Sequence, residues 1–155
     1  MIRAVCDTSV LVPETTRTAL HGAATDGLFQ PVWSPWIIGE LYRVLTWKWA
    51  RTHGVSETER RRCSDAANAM MELMLDVWRL VDVARPWPPT WPALGDRWDV
   101  PIWATAVASG APYVVSDNRH DFPPANPQGR HIWQGVEYLP ARVFLSDILH
   151  RPLSP

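Results

Sequence analysis

The chain has 155 residues, 46% of them hydrophobic, and a net charge of −1. That is enough apolar material for a buried core, and too little positive charge for a basic nucleic-acid coat. Its two cysteines, Cys6 and Cys63, form neither a disulfide framework nor a metal-ligand spacing. No apolar run is long enough to span a bilayer, and no charged-then-apolar leader precedes the first strand, so a cytoplasmic protein with no membrane contact is expected.

Ile2–Cys6 reads as a short buried strand ending at Asp7, and residues 8–13 as a loop. A helix follows over 14–27, with early negative charge from Glu14, an apolar face of Ala19, Leu20, Ala23 and Ala24, and a stop at Gly27. Residues 28–33 form a second strand. Ser34-Pro35 reads as an N-cap with proline at the first helical position, opening a helix that runs to about residue 53, where Gly54 stops it. Ser56-Glu57-Thr58-Glu59 has the capping-box pattern and predicts a helix to about residue 75. Residues 76–83 read as a third strand.

The stretch Arg85-Pro86-Trp87-Pro88-Pro89-Thr90-Trp91-Pro92 excludes regular structure, because proline removes amide donors and restricts the residue before it. A helix is expected over 99–109, with Pro101 in its first turn and Gly110 closing it. A fourth strand (112–116), a polar turn (117–122), a loop rich in Pro, Asn and Gly, a last strand (136–139) and a helix (140–149) complete the chain. Alternating strands and helices imply one α/β domain over 1–150 with a short tail over 151–155. Its architecture is a three-layer α/β/α arrangement around a parallel sheet of about four to five strands.

Ten tryptophans and fifteen prolines are unusual. Large core residues and a pinned loop account for them most simply; a partner surface or a base-stacking platform is the functional counterpart. The run Arg60-Arg61-Arg62 splays around a helix and reads as a solvated face. Cys6 in a strand and Cys63 in a helix read as reduced packing residues. The five histidines show no metal spacing.

The chemistry lies in the acids. In an open α/β sheet, ligands bind beyond the carboxyl ends of the strands. Asp7 ends the first strand, Asp117 follows the fourth, Asp99 opens the helix before it, and Glu40 lies early in the helix after the second strand. Each alone has an innocent role as turn former, cap or solvated residue. Glu40, however, is flanked by Ile37, Ile38, Leu41, Val44 and Leu45, where a carboxylate needs a partner or a metal. Clustered carboxylates require a counter-charge, and oxygen-only ligands suit Mg²⁺ or Mn²⁺ rather than zinc. Such a site can activate water and stabilise the leaving oxygen in phosphodiester cleavage. Thr8 or Ser9 would orient that water or a phosphate. Arg17, Arg43, Arg97 and Arg119 neighbour the acids in sequence and are candidate phosphate contacts, with His120 beside them. A haloacid-dehalogenase phosphatase needs Asp-x-Asp, but Ser9 occupies the third position; no phosphate-binding glycine loop occurs either.

These motifs resemble the PIN-domain family, especially the VapC-like ribonuclease toxins of type II toxin–antitoxin modules. Val5-Cys6-Asp7-Thr8-Ser9-Val10-Leu11 is similar to the opening motif, and Ile38-Gly39-Glu40-Leu41-Tyr42-Arg43-Val44-Leu45 to the Glu-bearing helix. Asp99-Val100-Pro101-Ile102-Trp103-Ala104-Thr105-Ala106 is similar to the third acidic motif. Tyr113-Val114-Val115-Ser116-Asp117-Asn118 with Asp121-Phe122-Pro123 is similar to the fourth, and Gly135-Val136-Glu137-Tyr138-Leu139-Pro140 with Phe144-Leu145 to the ending. The resemblance implies an Mg²⁺- or Mn²⁺-dependent endoribonuclease acting on RNA, inhibited by a cognate antitoxin and homodimeric. It implies Asp7, Glu40 and Asp99 as metal ligands, with Asp99 or Glu40 also accepting a proton from water. Asp117 is the favoured fourth ligand, with Asn118 and Asp121 competing; Asp96 competes with Asp99. The alternative is a catalytically weak PIN-like domain that binds RNA or a protein.

Overall fold

The computed structural model of the chain describes residues 1–53, 56–83 and 100–153. In chain order the strands are β1 (Ile2–Cys6), β2 (Phe29–Trp33), β3 (Arg79–Leu80), β4 (Tyr113–Val115), β5 (His131–Trp133) and β6 (Val136–Leu139). The helices are α1 (Thr8–Leu11), α2 (Glu14–Thr25), α3 (Pro35–His53), α4 (Glu57–Leu75), α5 (Val100–Ser109) and α6 (Ala141–Val143), the last continuing as a π-type turn over Phe144–Ile148. The strands form one sheet in the order β3-β2-β1-β4-β6-β5. Every neighbouring pair is parallel except β5 and β6.

Successive residues of a strand point to opposite faces. Ala4, Val5 and Cys6 are all fully buried, so both faces of β1 are covered, as the three-layer expectation requires. Phe144, after α6, packs edge-on against Phe29 of β2 at 5.1 Å and Tyr113 of β4 at 5.8 Å. Trp33 and Trp103 are among the largest fully buried side chains, and Trp33 meets Trp78 at 5.2 Å. These tryptophans are core, as the simpler reading of the composition holds.

Strand order fixes where a ligand can bind. From β1 the chain crosses through α2 to β2 on one side, and later returns to lay β4 on the other. The carboxyl ends of β1 and β4 are therefore the topological switch point of the sheet, where ligands of open α/β sheets bind.

Several expectations need correction. Residues 8–13 are not all loop: Thr8–Leu11 form one helical turn because Asp7 caps it, accepting the Thr8 amide at 2.7 Å. The third strand shrinks to Arg79–Leu80, because Val77 and Trp78 turn back on the Met74 carbonyl at the end of α4. Among the described residues the sheet has six strands rather than four or five and carries an antiparallel edge, because β5 lies beside the Pro- and Gly-rich loop. The helix expected over 140–149 is a short α-turn that relaxes into π geometry. Ser34 opens α3 through its carbonyl, which accepts the Ile38 amide at 3.0 Å, but its hydroxyl is buried and has no hydrogen-bond partner among the described residues.

Other boundaries hold. Ser56 Oγ accepts the Glu59 amide at 3.2 Å, giving half of the capping box. α5 ends at Gly110, whose φ of +66° lets the Gly110 and Ala111 amides reach back to Val107 and Ala106, a left-handed closure that favours glycine. Arg60, Arg61 and Arg62 are exposed, with Arg61 and Arg62 paired to Glu57 and Glu59. Cys6 and Cys63 are free and buried. Gly54, the segment 85–92, Asp96, Arg97 and Asp99 lie outside the described residues. No helix among the described residues is long and apolar enough to cross a membrane.

Candidate metal centre at the carboxyl edge

Asp7 stands where β1 gives way to α1, and it is only 8% exposed. A buried carboxylate needs donors, and three residues supply them. Thr8 donates its amide to Oδ1 at 2.7 Å. Ser9 Oγ donates to Oδ2 at 2.7 Å, and Ser116 Oγ, at the end of β4, donates to the same oxygen at 2.8 Å. Each hydroxyl has one proton; with both protons on Asp7, the two oxygens are left to accept. Ser9 Oγ accepts the Asp117 amide at 3.0 Å, and Ser116 Oγ accepts the Asn118 amide at 3.2 Å. The first acid and the segment carrying the fourth are thus tied together across the switch point.

Glu40 joins from α3. Thr8 Oγ1 donates to Glu40 Oε2 at 2.8 Å, so Thr8 supports one acid with its amide and another with its hydroxyl. Among the described residues Glu40 Oε1 has no hydrogen-bond partner. The half-buried position matches the expectation that this helix would not leave Glu40 fully in water.

The other expected site residues are distributed differently. Thr8 and Ser9 hold the acids through their hydroxyls. Asp117 is exposed, and its Oδ1 accepts the Ala141 amide at 2.9 Å, covering an otherwise unpaired donor at the start of α6. Asn118 hydrogen-bonds Asp121 across the 3₁₀ turn Arg119–Asp121. Neither Asp117, Asn118 nor Asp121 shows a side-chain bond to Asp7 or Glu40. Arg43 on α3 and Arg119 in the turn are exposed, as is His120. Arg17 Nη1 donates to the Leu11 and Val12 carbonyls at 2.9 and 3.0 Å, which ties this half-buried guanidinium to the end of α1, and burial lowers its pKa from the usual value. Asp99 lies outside the described residues; α5 begins at the next residue, Val100.

Sequence reasoning passed over Ser116. Its signal was available, as a small hydroxyl at the end of a buried strand one residue before an acid. Behind Asp7, burial, and next the Asp7 charge, push the Cys6 thiol far above its ordinary range, so it stays a neutral packing group.

Among the described residues no three His, Cys, Asp or Glu side chains converge closely enough to hold a metal ion. Asp7 and Glu40 nonetheless form an oxygen-only pair linked through Thr8, and each keeps acceptor capacity that no described residue uses. That donor chemistry fits a hard divalent cation.

A sequence model of the PIN domain matches residues 3–120, from β1 to the turn after β4. It takes in Asp7, Glu40, Asp99, Asp117 and Asn118, and stops short of Asp121 and of the β5–β6 hairpin. No curated protein matches the chain. With the mostly parallel sheet and its strand-end acids, this match assigns the chain to the PIN-domain family, a fold of nuclease type.

Proposed function

We propose that the chain is an Mg²⁺- or Mn²⁺-dependent endoribonuclease, the toxin of a type II toxin–antitoxin module, working as a homodimer and silenced by a cognate antitoxin protein. The observation that carries this reading is the Asp7 carboxylate, buried at the switch point, held by Ser9 and Ser116 and linked through Thr8 to Glu40.

In this reading Asp7, Glu40 and Asp99 hold the cation, with Asp117 as the fourth ligand. The cation supplies charge to activate water and to neutralise the phosphodiester as its bond breaks. The protein's own part is positioning. Ser116 and Ser9 fix the Asp7 carboxylate, and Thr8 fixes Glu40 Oε2. Glu40 Oε1, which no described residue engages, would then hold the cation or accept a proton from water. Arg43 and Arg119 are exposed cations close in sequence to these acids, and suit bidentate phosphate contact.

The test is Asp7→Asn. Asparagine is as good an N-cap as aspartate, so α1 persists and circular dichroism stays that of the wild type. RNA cleavage with Mg²⁺ or Mn²⁺ falls about a hundredfold or more, the effect of several kcal/mol of lost charge stabilisation. Equal cleavage by the folded variant would reject the proposed centre. Wild-type protein freed of partner that cleaves no RNA with either cation would instead leave an RNA- or protein-binding domain. The toxin assignment is checked by co-expression with the product of any short neighbouring reading frame, which should bind the chain and suppress cleavage.

A further inference from the structure

We propose that the outward stripe of α3 formed by Arg43, Trp47 and Arg51 is a subsite for single-stranded RNA, carrying the strand away from the acidic centre; it deepens the nuclease reading and rests on it for the identity of the substrate. Trp33, Trp78 and Trp103 are buried and Trp36 and Trp133 half-buried, whereas Trp47 is 64% exposed. Water is a poor solvent for an indole, so an exposed one on a well-formed helix is an unused contact surface.

The position of Trp47 gives it chemical meaning. Glu40, Arg43, Trp47 and Arg51 recur at spacings of three and four residues, which puts them in one row along the helix. The row starts at a proposed metal ligand and extends about 16 Å along the axis. The Arg51 guanidinium lies 5.1 Å from the Trp47 ring centre, a cation–π contact that holds the indole in place. Arg43, Val44, Trp47, Lys48 and Arg51 line a shallow groove of about 430 Å³. Two exposed guanidinium groups, Arg43 and Arg51, on one short surface stand out in a chain of net charge −1.

Charge decides between occupants. An apolar peptide entering this groove would have to desolvate the Arg43 and Arg51 guanidinium groups and brings no opposite charge to them. A polyanion neutralises them, and Trp47 offers a face to a base. Stacking needs an unpaired base, so the strand is single.

The experiment measures fluorescence anisotropy of an end-labelled single-stranded RNA of about a dozen nucleotides, in EDTA so that nothing is cleaved. Trp47→Ala should weaken binding roughly tenfold, while Trp47→Phe keeps most of it. Arg43→Ala and Arg51→Ala should each lower the slope of log K against log salt by about 0.7. The same sequence as a duplex should not respond to Trp47→Ala. Wild-type protein that fails to bind the single strand at low salt, or unchanged binding by Trp47→Ala and by the double arginine variant, overturns the subsite. So does a Trp47→Ala variant that changes the sedimentation coefficient but not RNA binding, since the stripe is then a protein interface. Adding Mg²⁺ or Mn²⁺ to the wild type separates the two readings. Trp47-dependent binding without cleavage removes the nuclease and keeps the subsite; cleavage with Trp47-independent binding does the reverse.

Discussion

Of the two carboxylate oxygens of Asp117, an exposed residue, Oδ1 accepts the Ala141 amide and Oδ2 takes no hydrogen bond from the described residues. The first is a helix-capping contact, whose loss costs about 1 kcal/mol; the second is what a metal ligand would use. Two substitutions separate these roles. Asp117→Ala should lower unfolding free energy by about 1 kcal/mol in urea titration. Asp117→Asn keeps a capping oxygen and should leave stability unchanged, while reducing metal-dependent cleavage less than Asp7→Asn does, because one oxygen already belongs to α6. Loss of cleavage as complete as that of Asp7→Asn would make it an equal ligand. The same contrast shows what a sequence can reveal of such a site. Asp7 and Glu40 are legible because each acid adjoins or interrupts an apolar pattern, and burial of a carboxylate demands an explanation. The hydroxyl relay through Ser9 and Ser116 is not legible, because Ser9 and Ser116 meet only once β1 and β4 have paired.

At the scale of elements, the β5–β6 hairpin shows where periodicity gives out. β5 has three residues, too few for alternation to register, and it follows a stretch containing Pro123, Pro124 and Pro127. Its turn was the better clue. Gln134 and Gly135 have φ of +46° and +80°, as the two central positions of a type I′ turn require, and glutamine is an unusual residue there. Asparagine tolerates this region better. Gln134→Asn should therefore stabilise the protein by about 0.5 kcal/mol, and Gly135→Ala should destabilise it by about 1 kcal/mol, both read as shifts of the urea midpoint at constant m. The opposite order would mean that contacts of the Gln134 side chain, rather than backbone preference, hold the turn. The long elements were legible for the complementary reason: α2, α3 and α4 each supply several turns of pattern and a recognisable start. β3 was overread because Val77 and Trp78 are good strand residues that the end of α4 uses for its closing turn.

For the molecule as a whole, the acids of the proposed centre come from distant parts of the chain. Asp7 ends β1, Glu40 belongs to α3, Asp117 follows β4, and only the folded sheet brings their elements to one edge. The unfolded chain has no such cluster, so a cation held by these side chains binds the native state almost exclusively, and its binding free energy adds to folding stability. At a hundredfold excess over its dissociation constant this amounts to about 2.7 kcal/mol. For a chain of this size each kcal/mol raises Tm by about 2–4 °C, giving a rise of roughly 5–10 °C. Differential scanning fluorimetry with Mn²⁺ or Mg²⁺ against EDTA should show that rise in the wild type. Asp7→Asn should abolish it and Trp47→Ala should keep it, because Trp47 lies on the proposed RNA path and not among the ligands. A rise that survives Asp7→Asn would move the cation elsewhere on the protein, whereas its absence from the wild type at millimolar cation would mean that the acids do not bind metal tightly until RNA is present.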